Sequence, residues 1–437
     1  MPPTSIPIRA AAAAPSFAPK APPVDMRWRL ARLASAPHRV GFFAGAVMLA
    51  LTAVWWAASL ALRHAGVAVP WAVVPPVAHG LAMALGFMPL FMVGFLYTAG
   101  PRWLGQPPVE GAALVPAVAA YMAGGLIAGL GFHVHAWLAA AGLALTGAAW
   151  AALLLRYLRL LRTSPVPDRL HATGVAVACG LGVLAMAIAV VALAAGSVPW
   201  ARAAAQLALW GFLAPTFAIV SHRMIPFFTA SALPSMDAWR PNALLGAMLA
   251  ALGIAAAAEV AQVLVGPLPA WAHGIAGALL LPAAAGLGWL AVRWGLVQSL
   301  SIRLLAMLHG GFVWLAVALG LAAISHLRIA FLGDDAGLGL APLHALTMGY
   351  LGATLVAMIT RVAAGHSGRP LAADNMAWAL YWTLQAAALA RVGVALAPAL
   401  PPSFTLLAAH LWVAACAGWA LRYGAWLGQP RVDGRPG

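Results

Sequence analysis

The sequence predicts an all-α integral membrane bundle of about twelve transmembrane helices, with both termini on the cytoplasmic side. Three observations carry this. Hydrophobic residues make up 64% of the 437-residue chain and charged residues only 8%, against roughly 25% charged in a soluble domain. Apolar runs of bilayer-crossing length, about 20 residues each, recur along the chain between Pro, Gly and Arg clusters. With the N-terminus inside, all 24 Lys and Arg residues except Arg63, Arg202, Arg328 and Arg391 fall on the inner side, the bias that orients membrane proteins.

The elements follow in order. Residues 1–38 read as a disordered Ala/Pro-rich tail and a basic cytoplasmic segment carrying Arg27, Arg29, Arg32 and Arg39, residues 39–428 as the membrane domain, and 429–437 as a second cytoplasmic tail. The apolar run from Val40 to Leu62 is too long, and too far from the start, for a signal-peptide core, so it is the first span. Spans are expected at about 41–62, 72–97, 112–131, 135–157, 171–195, 202–221, 242–264, 270–292, 302–323, 341–361, 376–397 and 403–426. The net charge of +15 then marks inner loops and not a nucleic-acid partner. Cys179 and Cys416 sit far apart in apolar runs without C-x-x-C spacing, so they read as inert thiols.

In so apolar a chain the ionisable residues are the informative ones, because each is costly in a bilayer. His79, His273, His344 and His410 fall within about two turns of the outer ends of the second, eighth, tenth and twelfth spans, and His135 opens the fourth. Glu259 is the only carboxylate well inside a span, near the outer end of the seventh, and His309 falls near the middle of the ninth. His38, His171, His222 and His366 are expected at the cytoplasmic edge, and His64, His133 and His326 at or beyond the outer one. Imidazole is the commonest neutral metal ligand and the usual axial ligand of haem. His79-Gly-Leu-Ala-Met83 and His344-Ala-Leu-Thr-Met348 each set a thioether four residues from an imidazole, a pairing suited to copper. The competing reading, a histidine bonded to a carbonyl and a methionine filling a gap, serves any one of these positions.

At the inner side, residues 221–229 (SHRMIPFFT) follow the sixth span and residues 360–370 (TRVAAGHSGRP) the tenth. Arg223 and Arg361 could hold a haem propionate or another anion through bidentate hydrogen bonds, although orientation alone would also place arginines there. There is no phosphate loop, H-E-x-x-H or G-x-S-x-G, which excludes ATP-driven and hydrolytic classes. The His-His pair and H-x-x-x-Y of haem-copper oxidase catalytic subunits are absent as well.

Four segments carry a resemblance: HGLAMALGFMPLFMVGFLYTAGPRW at residues 79–103, HRMIPFFT at 222–229, LHGGFVW at 308–314, and HALTMGYLGATLVAMITRVAAGHSGRP at 344–370. In these the chain resembles the NnrS family of multi-span bacterial membrane proteins. The resemblance implies non-covalent haem, of b type, and copper, a role in the nitric oxide response and in relief of nitrosative stress linked to denitrification, and location in the bacterial inner membrane. It implies nitric oxide or a related small molecule as ligand and a nitrite or nitric oxide reductase system as partner. The family's motif histidines fall on His79, His309 and His344, and Arg223 and Arg361 match motif positions, so these are the expected haem-binding residues. His79, His309 and His344 are likewise the first expected metal ligands, with His273, His410, Met83 and Met348 behind them. Many members carry H-x-H-E where this chain has Val77-Ala78-His79-Gly80. The competing functions are a secondary transporter of a metal or small molecule, for which Glu259 is the one intramembrane carboxylate, and an assembly partner of nitrite or nitric oxide reductase.

Overall fold

The computed structural model describes residues 25–435. The reading of residues 1–24 as a disordered tail lies outside the described residues. Twelve helices are long and apolar enough to cross a membrane: α1 (Pro37–His64), α2 (Pro75–Trp103), α3 (Gly111–Val134), α4 (Ala136–Arg162), α5 (Leu170–Ala194), α6 (Val198–Ala232), α7 (Asn242–Val265), α8 (Ala270–Arg293), α9 (Arg303–Leu332), α10 (Asp334–His366), α11 (Asn375–Leu396) and α12 (Ser403–Leu427). No strand occurs among the described residues. Both ends of the described chain therefore lie on one face, called here the terminal face.

Three spans are longer than their hydropathy suggests. Residues 221–229 lie inside α6 and residues 360–366 inside α10, although the sequence places both segments after their spans. Pro226 does not end α6, because Ile225, Pro226 and Thr229 are packed against neighbouring helices, and membrane helices tolerate proline where neighbours compensate. Similarly, α9 runs to Leu332 and takes in His326, which the sequence put at the outer edge.

The basic segment before α1 is packed and does not trail. Leu30–Ser35 forms a 3-10 turn, the Arg29 amide donates to the Gly428 carbonyl at 3.0 Å, and Trp28 lies 5.8 Å from Phe43 between ring centroids. Arg39, only 4% exposed, donates to the carbonyls of Leu427 and Gln429 at 2.6 Å each. This caps the end of α12 with the start of α1, which pack side by side and close the bundle.

Burial singles out three helices spaced four apart. In α2, α6 and α10 the apolar stretch is 78%, 72% and 83% buried, against 67% or less in every other span. They form the centre of the bundle, and each is irregular. In α2 the helix breaks at Gly86–Phe87. Pro89 has no N–H to give the Leu85 carbonyl and its ring crowds that carbonyl; the Tyr121 hydroxyl of α3 donates to it instead. α6 carries a π-helical turn at Leu207–Leu213 and α10 another at Ala345–Gly352, features that recur at functional positions. The outer helices approach this core through glycine. A Cβ on Gly41 of α1 would lie 2.3 Å from the Gly94 nitrogen of α2, and one on Gly311 of α9 would lie 2.6 Å from the Thr354 hydroxyl of α10, so only small residues let these backbones meet.

Candidate functional site

At the face opposite the termini, α2 and α10 bring two of the expected ligands into one neighbourhood. His79 stacks on Trp56 of α1, with ring centroids 4.0 Å apart and planes 19° apart, and its Nδ1 has no hydrogen-bond partner. His344, 9% exposed, donates Nδ1–H to the Leu340 carbonyl one turn earlier at 2.9 Å. That bond fixes the tautomer and leaves the Nε2 lone pair for another partner, the usual arrangement behind a metal-binding imidazole. His79, His344 and Arg391 of α11 lie within electrostatic range of one another. Arg391 forms no ion pair with any described residue.

The other histidines named from sequence go elsewhere. His309 is fully buried, with Nε2 3.0 Å from the Thr229 hydroxyl of α6 and Nδ1 unpartnered. It lies not near the middle of α9 but in its terminal-face half, six residues from Arg303. Gly311, two residues on, abuts Thr354, and Thr354 is ten residues past His344, or roughly 15 Å of helix rise. His309 therefore does not share a site with His79 and His344. His273 has both ring nitrogens occupied: Gln262 donates to Nε2 at 3.2 Å and Nδ1–H donates to His326 Nδ1 at 2.7 Å. His410 is exposed on α12 and bonds the Leu406 carbonyl at 2.7 Å. Met83 and Met348 are both half-buried; Met83 keeps α-helical spacing from His79, whereas the π turn after His344 alters the register of Met348.

Two further histidine contacts were not legible in the sequence. His171 of α5 donates Nε2–H to His222 Nδ1 at 2.9 Å, and His222 Nε2–H donates to the Pro241 carbonyl at 3.1 Å. His38 of α1 packs on His366 of α10 at 4.2 Å between centroids. Among the described residues no three His, Cys, Asp or Glu side chains gather as a metal-binding group. Cys179 and Cys416 are buried and unpaired.

Toward the terminal face the central helices open on two cavities. A small apolar chamber is lined only by α2, α6 and α10, among them Phe91, Phe95, Thr216, Phe217, Thr354 and Met358. Phe95 also borders a cavity of about 640 Å³ whose wall includes Arg102, Arg223, Arg240, Arg361, Arg431 and His366. Arg223 and Arg361, expected beside a haem, lie here. Arg361 is 17 residues past His344, or about 25 Å of rise, so these arginines lie far from His79 and His344. Near those imidazoles the guanidinium is that of Arg391, which sequence reasoning passed over. Its signal was present: Arg391 is one of four basic residues on the side disfavoured for orientation.

The NnrS family model, described as NnrS protein, matches residues 32–431, nearly the whole chain. No curated protein matches.

Proposed function

The chain belongs to the NnrS family and is a multi-pass membrane protein related to the nitric oxide response; on that premise we propose that it binds haem between α2 and α10, where His79 and His344 would hold it, in the inner membrane of a bacterium. One observation carries this reading: the His344 Nδ1–H···O=C bond beside an unpartnered His79 Nδ1 leaves each imidazole a nitrogen to give.

A haem asks the protein for at most two ligands, since the porphyrin supplies four. A pair of imidazoles meets that need. Copper is less well served, because protein copper sites commonly gather three or more ligands and no such group of His, Cys, Asp or Glu occurs among the described residues. Met83 and Met348 are each four residues along the chain from the same two histidines, so copper would compete with haem for them. Arg391, without an ion pair, supplies the charge for a propionate. Trp56 holds the His79 ring by stacking.

Bound haem would supply one-electron chemistry, and a diatomic gas would bind to it only in place of one of the two imidazoles. The chain's own residues orient the two imidazoles, keep them among apolar neighbours, and place them where nitric oxide, small and neutral, arrives through lipid. The excess of arginine on the terminal face makes that face cytoplasmic in this reading and sets the haem in the outer half of the membrane. The link to denitrification and relief of nitrosative stress belong to the same proposal. Glu259 lies on α7, which packs against α6, within range of Arg202 of α6.

The test is the oxidised and dithionite-reduced absorption spectrum of the purified full-length protein, with iron and copper content. The proposal expects a low-spin Soret spectrum with about one haem per chain, lost in His79→Ala and in His344→Ala. A colourless wild type from haem-replete cells would overturn it.

A further inference from the structure

The three central helices each deliver one arginine to the 640 Å³ cavity, at matching positions. Arg102, Arg223 and Arg361 stand seven residues beyond Phe95, Thr216 and Thr354, each one of the several chamber-lining residues of α2, α6 and α10. Three guanidinium groups thus converge at the terminal-face end of the axis, and Arg240 and Arg431 join them. Arg431 is neutralised by Asp433. Arg102, Arg223, Arg240 and Arg361 form neither an ion pair nor a side-chain hydrogen bond with any described residue.

Orientation in the membrane accounts for Arg102, which is exposed, but not for Arg223 and Arg361. Arginines that serve only to mark a face are placed well when exposed, as Arg159 and Arg162 are. Arg223 and Arg361 are instead half-buried, with Arg223 over the Trp103 ring at 4.9 Å and Arg361 over Phe228 at 4.2 Å. Stacking fixes the planar guanidinium while leaving its N–H edge free. Like charges gathered around one volume repel unless an anion sits among them.

We propose that this cavity is a phosphate-binding site for a ligand carrying two or more phosphate groups, such as a di- or triphosphate compound from the adjoining aqueous phase. Four guanidinium groups without an ion pair, one of them in range of Asp168, match a multiply charged phosphate and exceed the charge of a single phosphate headgroup. The volume lies in the range that holds a small organic ligand, about 300–1,000 Å³, and is larger than a lone phosphate needs. Trp103, Phe227 and Phe228 provide walls for a planar or apolar body attached to the phosphates. A phospholipid with several phosphates offers the same chemistry from the membrane side.

The experiment uses full-length protein in nanodiscs of neutral lipid, with inorganic pyrophosphate and triphosphate as soluble probes and cardiolipin as the lipid probe. Saturable binding at one site is expected, weakened at least tenfold in Arg223→Gln and Arg361→Gln and unchanged in Arg159→Gln. A second readout keeps the wild-type arginines. Gly365 lies on the exposed rim of the cavity, and a Cβ there meets only the Leu371 side chain at 3.3 Å, so a Gly365→Cys thiol should label quickly and be protected by the probe. Protection by pyrophosphate fixes the source as soluble; protection by cardiolipin alone fixes it as lipid. No binding by any probe, or equal loss in Arg159→Gln, would overturn the proposal. So would loss of haem from Arg361→Gln, which would assign the arginines to the haem.

Discussion

The two ends of the central axis are built from the same helices and offer opposite chemistry. At the end opposite the termini α2 and α10 present imidazoles, one of them locked by a backbone carbonyl. At the terminal-face end the same helices, with α6, present guanidinium groups that form no ion pair with any described residue, around an aqueous volume. Coordination needs a neutral nitrogen with a free lone pair among apolar neighbours; anion recognition needs fixed positive charge near water. The lesson is that sharing helices is not sharing a site. About 25 Å of helix rise separates His344 from Arg361, and the apolar chamber between them holds no charged lining residue.

This contrast can be broken from either end. The largest effect expected is complete loss of haem in His344→Ala with pyrophosphate binding unchanged within a factor of two, measured by Soret absorbance and calorimetry on one preparation. Next is Arg361→Gln, in which pyrophosphate binding falls at least tenfold and the Soret band stays. Arg391→Gln should retain haem but release it several-fold faster to apomyoglobin, because it loses a propionate partner without losing an iron ligand; an unchanged release rate would remove Arg391 from the imidazole site.

Smaller effects test the frame that holds the ends apart. Tyr121→Phe leaves the Leu85 carbonyl without its donor, a cost of about 1–3 kcal/mol for a buried unsatisfied group. It should lower the melting temperature without moving either binding constant. The smallest effect concerns Asp433, whose carboxyl the Arg431 guanidinium holds down at about 2. Because the folded value is depressed, the pair is intact above the ordinary carboxylate range and is lost only as pH falls through about 2. Cavity binding should therefore show no step from this pair between pH 7 and pH 4, and a step there that disappears in Asp433→Asn would contradict the assignment.

Much of this architecture was legible in the sequence, and the exceptions have physical causes. Span positions follow from apolar run length, and most edges agree within a few residues because hydropathy and helix length report the same bilayer thickness. The method failed for α6 and α10, where Arg223 and Arg361 look like the end of a span but lie inside a helix whose surroundings shield them. It also misplaced His309, since depth in a long helix depends on where the helix ends and α9 runs on to Leu332, and it named His273 without its partner because His326 is 53 residues away on another helix. His79 and His344 were both legible as candidates. Their proximity was not, because it arises from the packing of α2 against the rest of the core. Arg102 and Arg240 were read only as orientation signals, and only the fold brings them to one cavity with Arg223 and Arg361.

The most direct test of two separate sites is a single titration series on four proteins: wild type, His79→Ala, His344→Ala and Arg361→Gln, each assayed for haem content and for pyrophosphate affinity. The account predicts that the histidine variants lose haem and keep pyrophosphate, and that the arginine variant does the reverse. Joint loss of both ligands in any one folded variant would contradict it.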